Sequence, residues 1–507
     1  MLLSRLARIL SETCTLAPSA EARGGADPEL LRAVFDSRQV KPGDLYCALR
    51  GTQVDGRAYV ADAIANGAAA VLSIGGLPAP IEVPELRVQL GVDPAHVAGL
   101  AANELVGRPS DELFVAALTG TNGKSTVVHL LQQAWQVASV PAARVGTLGF
   151  AWKGVERAAL NTTPAADELH AFLAEARDAG ARAVAVEASS HGIVQHRLAG
   201  LAVDVLGWTN LSHDHLDYHG DLESYAAAKA QLVHALPVGA TAFLPPDARI
   251  QAACQGARCE QVAWGLGDPS LPLHGQAELA PQGGLQLQIG GRFGGGILRS
   301  RLVGEHNAEN LLLAFGMLRV SGLDAETALA GLAAAEAAPG RLQRVAAQSP
   351  WRLFVDYAHT PDAIERALAA LRASYPDARI GIVVGAGGDR DPAKRAPMGA
   401  VAARGADWCM FTSDNPRTED PKTILDAVVA GAQEAVSDGH AQPANRVADL
   451  QAEVDRRAAI HAAVSRLKAG DVLLVAGKGH EPYQEIHGVR YPFDDRIELA
   501  EAVSCSV

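Results

Sequence analysis

Two short stretches carry residue types that could do chemistry. The first is LTGTNGKSTVV at 118–128. An apolar run enters Gly120, Thr121, Asn122 and Gly123, and Lys124, Ser125 and Thr126 open a helix-like segment. Glycines let backbone N–H groups curl around an anion, and the helix N-terminus adds its positive end. In such a loop the lysine reaches the β- and γ-phosphates of a nucleotide, and the serine hydroxyl can ligate Mg²⁺. Leu118 stands where the strict pattern has its first glycine, so the loop is a shorter relative of that pattern. The second stretch is Asp414-Asn415-Pro416-Arg417. Pro416 restricts its own φ and pushes Asn415 out of the helical region, which makes a stiff turn. Asp414 can accept from an ammonium group, and Arg417 can grip a carboxylate with two parallel bonds. A zwitterion, such as the amino-acid end of a small molecule, would suit both. A capped turn with a surface salt bridge would use the same residue types.

Further candidates lie at other apolar-to-polar junctions. Glu187 ends the run VAVE, and His215 lies in TNLSHDHLDYHG. His213, His215 and His219 suggest zinc, but closed zinc geometry needs more ligands and no Cys is nearby. Mg²⁺ prefers oxygens and substrate phosphates, so Glu187 with Ser125 and ATP is the more coherent set. Asp214 and Asp217 read as helix-cap or fold groups. Lys229, in ESYAAAKAQLV, follows Tyr225 by one turn and by itself reads as an exposed helix lysine.

These residues need elements to position them. At 507 residues the chain exceeds one core, and about three domains are expected. Residues 1–107 mix short strands (GDLYCAL, AAAVLSI) with polar turns, and MLLSRLARIL reads as a short amphipathic helix rather than a signal segment. GRPSDEL at 107–113 is a linker. A βαβ rhythm then begins at the phosphate loop, and residues 270–303 read as a β-rich insertion. AAPGRLQRV at 337–345 marks a second boundary, followed by another alternating α/β block whose strands run into glycine or polar residues. The predicted domains are therefore 1–107, 108–340 and 341–507, an α/β fold with a central mostly parallel P-loop sheet and a Rossmann-like C-terminal domain. Ligands in open α/β sheets bind beyond the carboxyl ends of the strands.

Composition is that of a globular protein, 48% hydrophobic and 20% charged. No apolar run is long enough to span a bilayer, so membrane insertion is not expected. A formal charge of −13 argues against nucleic acid as a partner. The six cysteines, at 14, 47, 254, 259, 409 and 505, form no framework and fit a reducing cytoplasm.

The motifs TGTNGKST, EASSHG, TNLSHDHLDYHG, GEHNAEN, PGRLQ, DYAHTPD, GDRDPAKR and DNPR occur in that order. Together they resemble the Mur ligases of peptidoglycan synthesis. DNPR with GKGHE is similar to the branch that adds meso-diaminopimelate. The resemblance implies three domains handling a UDP-sugar peptide, ATP and an amino acid. It implies an ADP-forming amide ligation of meso-diaminopimelate to UDP-N-acetylmuramoyl-L-Ala-D-Glu through an acyl phosphate. It also implies a monomeric cytoplasmic enzyme with Mg²⁺.

Residue by residue, Gly120 to Thr126 resemble the family's ATP loop, and Asn307 and Asn310 its adenine-side pair. Arg341 and Asp356 resemble groups that reach the nucleotide. Glu187 and His215 resemble Mg²⁺-site residues. Lys229 matches a lysine that is carbamylated in the family, which would turn a cation into an oxygen-donor anion. Phe35, Ser37, Thr52, Gln53 and Val54 fall on the uridine side. Asn161, Thr162, Thr163, Ser189, Gln195 and Arg197 fall on the sugar-peptide. Arg390, Asp414, Asn415, Pro416, Arg417, Gly477 and Glu481 match the diaminopimelate site. Phe35 departs from the family's usual aliphatic residue. The alternatives are a sister ligase (lysine-adding or folylpolyglutamate-type), a P-loop NTPase switch, and a nicotinamide oxidoreductase suggested by GIVVGAGGDRD. That last stretch lacks the third glycine of the dinucleotide fingerprint.

Overall fold

A computed structural model describes residues 1–13, 22–23, 26–51, 54–77, 79–89, 91–280, 283–437 and 449–505. Thr52, Gln53 and Cys14 lie outside the described residues. The chain forms two compact units. One comprises Met1–His274, Gly290–Gly294 and Leu312–Gly331, the other Gly275–Ile289, Gly295–Leu311 and Leu332–Val507.

The first unit holds an N-terminal sheet of β1 (Ala22–Arg23), β2 (Ala33–Val34), β3 (Leu45–Cys47), β4 (Ala70–Ile74) and β5 (Glu85–Val88), in the order β1-β5-β4-β3-β2. Only β1 runs antiparallel to its neighbour. The amphipathic helix expected at the start is α1 (Leu3–Thr13), which buries Leu3, Leu6 and Leu10 at helical spacing against α2 (Pro94–Leu105) and the sheet.

The same unit holds six parallel strands of a second, eleven-stranded mixed sheet: β6 (Phe114–Thr119), β7 (Ala142–Gly146), β8 (Ala183–Glu187), β9 (Val205–Trp208), β10 (Thr241–Leu244) and β11 (Glu260–Leu266). Their order is β11-β10-β9-β6-β8-β7. Strands covered on both faces must be apolar throughout, which is why VAAL and AVAV show no alternation. Helices α3 (Lys124–Val137), α4 (Ala166–Asp178) and α5 (Leu222–Ala235) follow strands of this sheet. The chain leaves β6 toward β7, then returns past it to β9. The carboxyl ends of β6, β8 and β9 therefore border a topological switch point, the place where open α/β sheets bind ligands.

The second unit contains the early turns of α6 (Glu305–Val320) and a hairpin within the predicted insertion, where 285–289 pair with 296–300. Its sheet comprises β12 (Gln343–Val345), β13 (Arg352–Asp356), β14 (Ile380–Val384), β15 (Trp408–Phe411), β16 (Asp449–Ala452) and β17 (Val472–Ala476). The order is β12-β13-β17-β14-β15-β16, with only β12 antiparallel. Helices α7 (Pro361–Ser374), α8 (Arg456–Ser465) and α9 (Asp495–Ser504) belong to this unit, as does the small hairpin of β18 (Tyr483–Ile486) and β19 (Val489–Pro492).

Candidate active site

The phosphate loop leaves β6 at Gly120, whose φ of 132° and tight surroundings both require glycine: a Cβ there would lie 2.0 Å from Thr209 Oγ1. Gly123 caps α3 at φ 89°, and Lys124 is the first helical residue. The segment after β9 holds the loop from outside. Thr209 Oγ1 donates to Asn122 O (2.5 Å), Asn122 N–H to Asn210 Oδ1 (3.0 Å) and Thr121 N–H to Asn210 O (3.0 Å). Thr209 and Asn210 were legible only as part of the TNLS motif, not as loop-holding residues.

Lys124 Nζ donates to the carbonyls of Gly120 (2.8 Å) and Thr121 (2.9 Å). Lys229 corrects the sequence reading. It is 1% exposed rather than a surface lysine, and its Nζ donates to the same Gly120 carbonyl at 3.0 Å. The ammonium also sits 4.3 Å from the centre of the Tyr225 ring. Burial and the Lys124 charge push it well below the usual lysine range, while Asp214 acts the other way. Periodicity missed this because α5 is alanine-rich and apolar around most of its circumference. A lysine on such a helix looks exposed until the loop it faces is known.

Glu187 ends β8 at 1% exposure. Its Oε1 accepts from Thr147 N–H (2.9 Å) and its Oε2 from Thr147 Oγ1 (3.2 Å). Thr147, which sequence reasoning did not select, also bonds Thr162 through their hydroxyls at 3.1 Å. Thr163 Oγ1 donates to Glu187 O (2.9 Å), lies 2.9 Å from Ser189 Oγ, and accepts from Ser189 N–H. Arg197 reaches Thr163 O (2.7 Å) and Gln195 Oε1 (2.8 Å). The fold therefore gathers Thr162, Thr163, Ser189, Gln195 and Arg197 beside Glu187, although 35 residues separate Thr162 from Arg197 in sequence (197 − 162 = 35). Asn161 is exposed at the start of this segment.

His215 has φ 53°, is about half exposed, and packs edge-on against His191 at 4.9 Å. The donors suit a hard cation: Glu187 offers a buried carboxylate, and Ser125 a hydroxyl in the first turn of α3. Among the described residues no group of three His, Cys, Asp or Glu side chains is arranged to hold a metal ion. A sparse protein set fits Mg²⁺, which keeps waters and takes phosphate oxygens as ligands.

Just after β2, Phe35 N–H donates to Asp167 Oδ2 in α4 (2.9 Å), linking the predicted uridine-side segment to that helix. Ser37 is buried and its carbonyl accepts from Asn66 Nδ2 (3.0 Å), whereas the Val54 side chain is exposed.

In the second unit, the loops after β13, β15 and β17 converge. Asn415 Oδ1 accepts from Lys478 Nζ (2.9 Å) and Glu485 N–H (2.9 Å), and its Nδ2 donates to Glu481 Oε2 (2.8 Å). Lys478 is fully buried and stands 3.6 Å from Asp414 Oδ1. Gly477, at φ 119°, leaves room for Asp414: a Cβ there would sit 3.2 Å from its Oδ2. Pro416 is buried, as expected of a stiff turn. Arg417 has φ 53°, pairs by backbone with β18, and donates through Nη1 to Gly388 O (2.6 Å). Arg390 is exposed on the loop after β14. Asp356 ends β13 and accepts from Leu342 and Ala358 N–H groups, and burial raises its carboxyl against the opposing effect of Arg341. Arg341 lies over the Tyr357 ring at 5.4 Å. Asn307 and Asn310 are buried in α6, joined by an Asn310 Nδ2 to Asn307 Oδ1 bond (3.1 Å). Lys478 is the residue of this group that sequence reasoning passed over, although it lies inside GKGHE.

A glycine loop, a strand-end carboxylate and a buried lysine on a parallel sheet define a P-loop nucleotide-handling α/β enzyme. Three family profiles match in order: Mur ligase family, catalytic domain, at 34–78; Mur ligase middle domain, at 118–318; and Mur ligase, glutamate ligase domain, at 340–479. The chain belongs to the Mur ligase family and has its three-domain fold. A UDP-N-acetylmuramoyl-L-alanyl-D-glutamate–2,6-diaminopimelate ligase of Chromobacterium violaceum is 40% identical over 503 residues, covering 94% of this chain and 97% of the relative. The enzyme of the same name from Pseudomonas aeruginosa is 41% identical over 473 residues, covering 92% and 93%. A solved structure under that name is 31% identical, covers 98% of each chain, and superposes with a TM-score of 0.70.

Proposed function

We propose that this chain is the ATP-dependent ligase that joins meso-diaminopimelate to the D-Glu of UDP-N-acetylmuramoyl-L-Ala-D-Glu, releasing ADP and phosphate. The observation that supports the amino-acid specificity is the Asn415 side chain, which binds Lys478 and Glu481 and so joins the DNPR and GKGHE loops. Lysine has no second carboxylate for Arg417 to hold, so a lysine-adding enzyme would have no use for this arrangement.

The chemistry follows from the difficulty of making an amide from a carboxylate. The D-Glu γ-carboxylate attacks the ATP γ-phosphorus, and the bond to ADP breaks. The amine of diaminopimelate attacks the resulting acyl phosphate, loses a proton, and displaces phosphate. Lys124 and the N–H groups of residues 120–126 hold the transferring phosphoryl group, so the protein's contribution is positioning and charge neutralisation. Glu187, His215, Ser125 and a carbamylated Lys229 would hold Mg²⁺, which supplies charge neutralisation at the phosphates. Asn307, Asn310, Arg341 and Asp356 serve the nucleotide. Phe35, Ser37, Thr52, Gln53 and Val54 serve the uridine. Asn161, Thr162, Thr163, Ser189, Gln195 and Arg197 serve the sugar-peptide. Arg390, Asp414, Asn415, Pro416, Arg417, Gly477 and Glu481 serve diaminopimelate.

The domains that divide this work are 1–107, 108–340 and 341–507. The enzyme acts as a monomer in the cytoplasm. Among the described residues no helix is long and apolar enough to cross a membrane.

The test is ATP-dependent phosphate release with the UDP-linked dipeptide and either meso-diaminopimelate, L-lysine or no amino acid. Release only with diaminopimelate, with a tripeptide product by mass, is the expected result. Release with lysine would overturn the specificity, and no release above background would overturn the ligase reading.

A further inference from the structure

Arg456 is the first residue of α8 and is 1% exposed. A cation at a helix N-terminus opposes the helix dipole, and burying it costs solvation. Its five N–H donors explain its presence. Nε and Nη2 hold Asp495 bidentately (2.8 and 2.7 Å), and Asp495 is itself fully buried at the start of α9. Nη2 also donates to Ala476 O (2.9 Å), and Nη1 donates to Ser413 O (3.2 Å).

Those two carbonyls are not neighbours in the sheet. Ala476 ends β17 and precedes Gly477; Ser413 follows β15 and precedes Asp414. The strand between them, β14, separates β17 from β15. Its exit at Gly385 is itself tight, since a Cβ there would lie 2.3 Å from Thr412 O. Ladder hydrogen bonds join each strand only to its immediate neighbours. The Arg456 fork joins the ends of two strands that no ladder joins. Buried ion pairs are weak stabilisers compared with apolar packing, so the pair's distinctive contribution is geometric. A planar fork sets two carbonyls at one fixed separation, which a lysine cannot do.

From this geometry we propose that Arg456, held by Asp495, is a positioning residue for the amino-acid substrate. It sets the spacing between the DNPR loop and the GKGHE loop without touching the ligand. The inference rests on the reading of those loops as the diaminopimelate site.

The experiment compares steady-state kinetics of the full-length enzyme carrying R456M/D495L, R456K or R417A. The double variant removes both charges, so no unpaired ion is left in the core. The expected result is a folded protein whose KM for meso-diaminopimelate rises by at least about tenfold, equivalent to losing one charge-assisted hydrogen bond. KM for ATP and for the UDP-linked dipeptide should stay within about twofold. A wild-type KM for diaminopimelate in the folded double variant overturns the proposal. If the double variant does not accumulate folded, R456K decides: it keeps the charge and loses the fork. A selective rise in the same KM supports the proposal, and an unchanged value overturns it. R417A separates the two readings. If its KM for diaminopimelate is unchanged, the site assignment fails. If that KM rises while those of the Arg456 variants do not, only the positioning role fails.

Discussion

Lys124 and Lys229 donate to one acceptor, the carbonyl of Gly120, although they come from different helices 105 residues apart (229 − 124 = 105). Two ammonium groups on one carbonyl repel, and the more buried one yields its proton more readily. The Gly120 carbonyl thus gathers both amines at the phosphate loop, and burial together with the Lys124 charge lowers Lys229 well below the usual lysine range. A neutral amine is the form that can take up CO₂, so the geometry supports the carbamate proposed from family resemblance.

The carbamate is directly observable. Wild-type protein equilibrated with ¹³C-bicarbonate should show a carbamate resonance that is missing in Lys229→Ala. That variant should also lose about 10²-fold or more in kcat, because one of the groups that would hold Mg²⁺ at the phosphates is gone. A wild-type protein without the resonance, or an active Lys229→Ala, would remove the modified lysine from the mechanism.

Arg417→Ala should cost about 2–4 kcal/mol of amino-acid recognition through the lost bidentate, charge-assisted contact. The effect should fall on KM for diaminopimelate and leave KM for ATP unchanged. Titrating each substrate separately checks this.

Gly146 lies directly against Glu187: an added Cβ would sit 2.2 Å from Oε1. The backbone there is ordinary strand, and the added Cβ would also lie 2.6 Å from Glu187 Cγ, so in Gly146→Ala the Glu187 side chain should be displaced from its Thr147 contacts. The expected outcome is a several-fold rise in the Mg²⁺ concentration needed for half-maximal rate, as befits a displaced oxygen ligand. An unchanged Mg²⁺ dependence would separate Glu187 from the metal.

Asp167 gives a pH prediction. Burial raises its carboxyl from 3.8 to about 6, against the lowering effect of the Phe35 N–H bond, and its Oδ1 has no hydrogen-bond partner among the described residues. Between these values the folded state binds more protons than the unfolded one, so this group's contribution falls as pH rises through about 6. Asp167→Asn cannot titrate. Its melting temperature relative to wild type should therefore be higher at pH 7.5 than at pH 4.5. A constant difference across that range would contradict the assignment.

Much of the candidate site was legible before the fold. A phosphate loop is local: the glycines, the lysine and the helix start are consecutive, so chain order specifies their geometry. DNPR is local in the same sense, because proline sets the turn and its neighbours supply the charges. The strands ending in Glu187 and Asp356 were legible from continuous apolar runs that stop at a carboxylate. Thr147, Thr209, Lys478 and Arg456 were not, because each acts across tens of residues of sequence and has an ordinary local context. The Lys229 reading failed for a related reason, since an alanine-rich helix does not announce which of its faces is buried.

The sequence by itself determined the alternating α/β blocks, the glycine loop and the family, since these rest on periodicity and contiguous motifs. Only the tertiary structure decided which side chains meet: Lys124 with Lys229 at the Gly120 carbonyl, Thr147 at the Glu187 carboxylate with Thr163 at its backbone carbonyl, and Asn415 with Lys478 and Glu481. The physical reason is range. Backbone preference and hydrophobic pattern act over a few residues, whereas burial, a shared carbonyl or a salt-bridge fork depend on how distant strand ends are brought together.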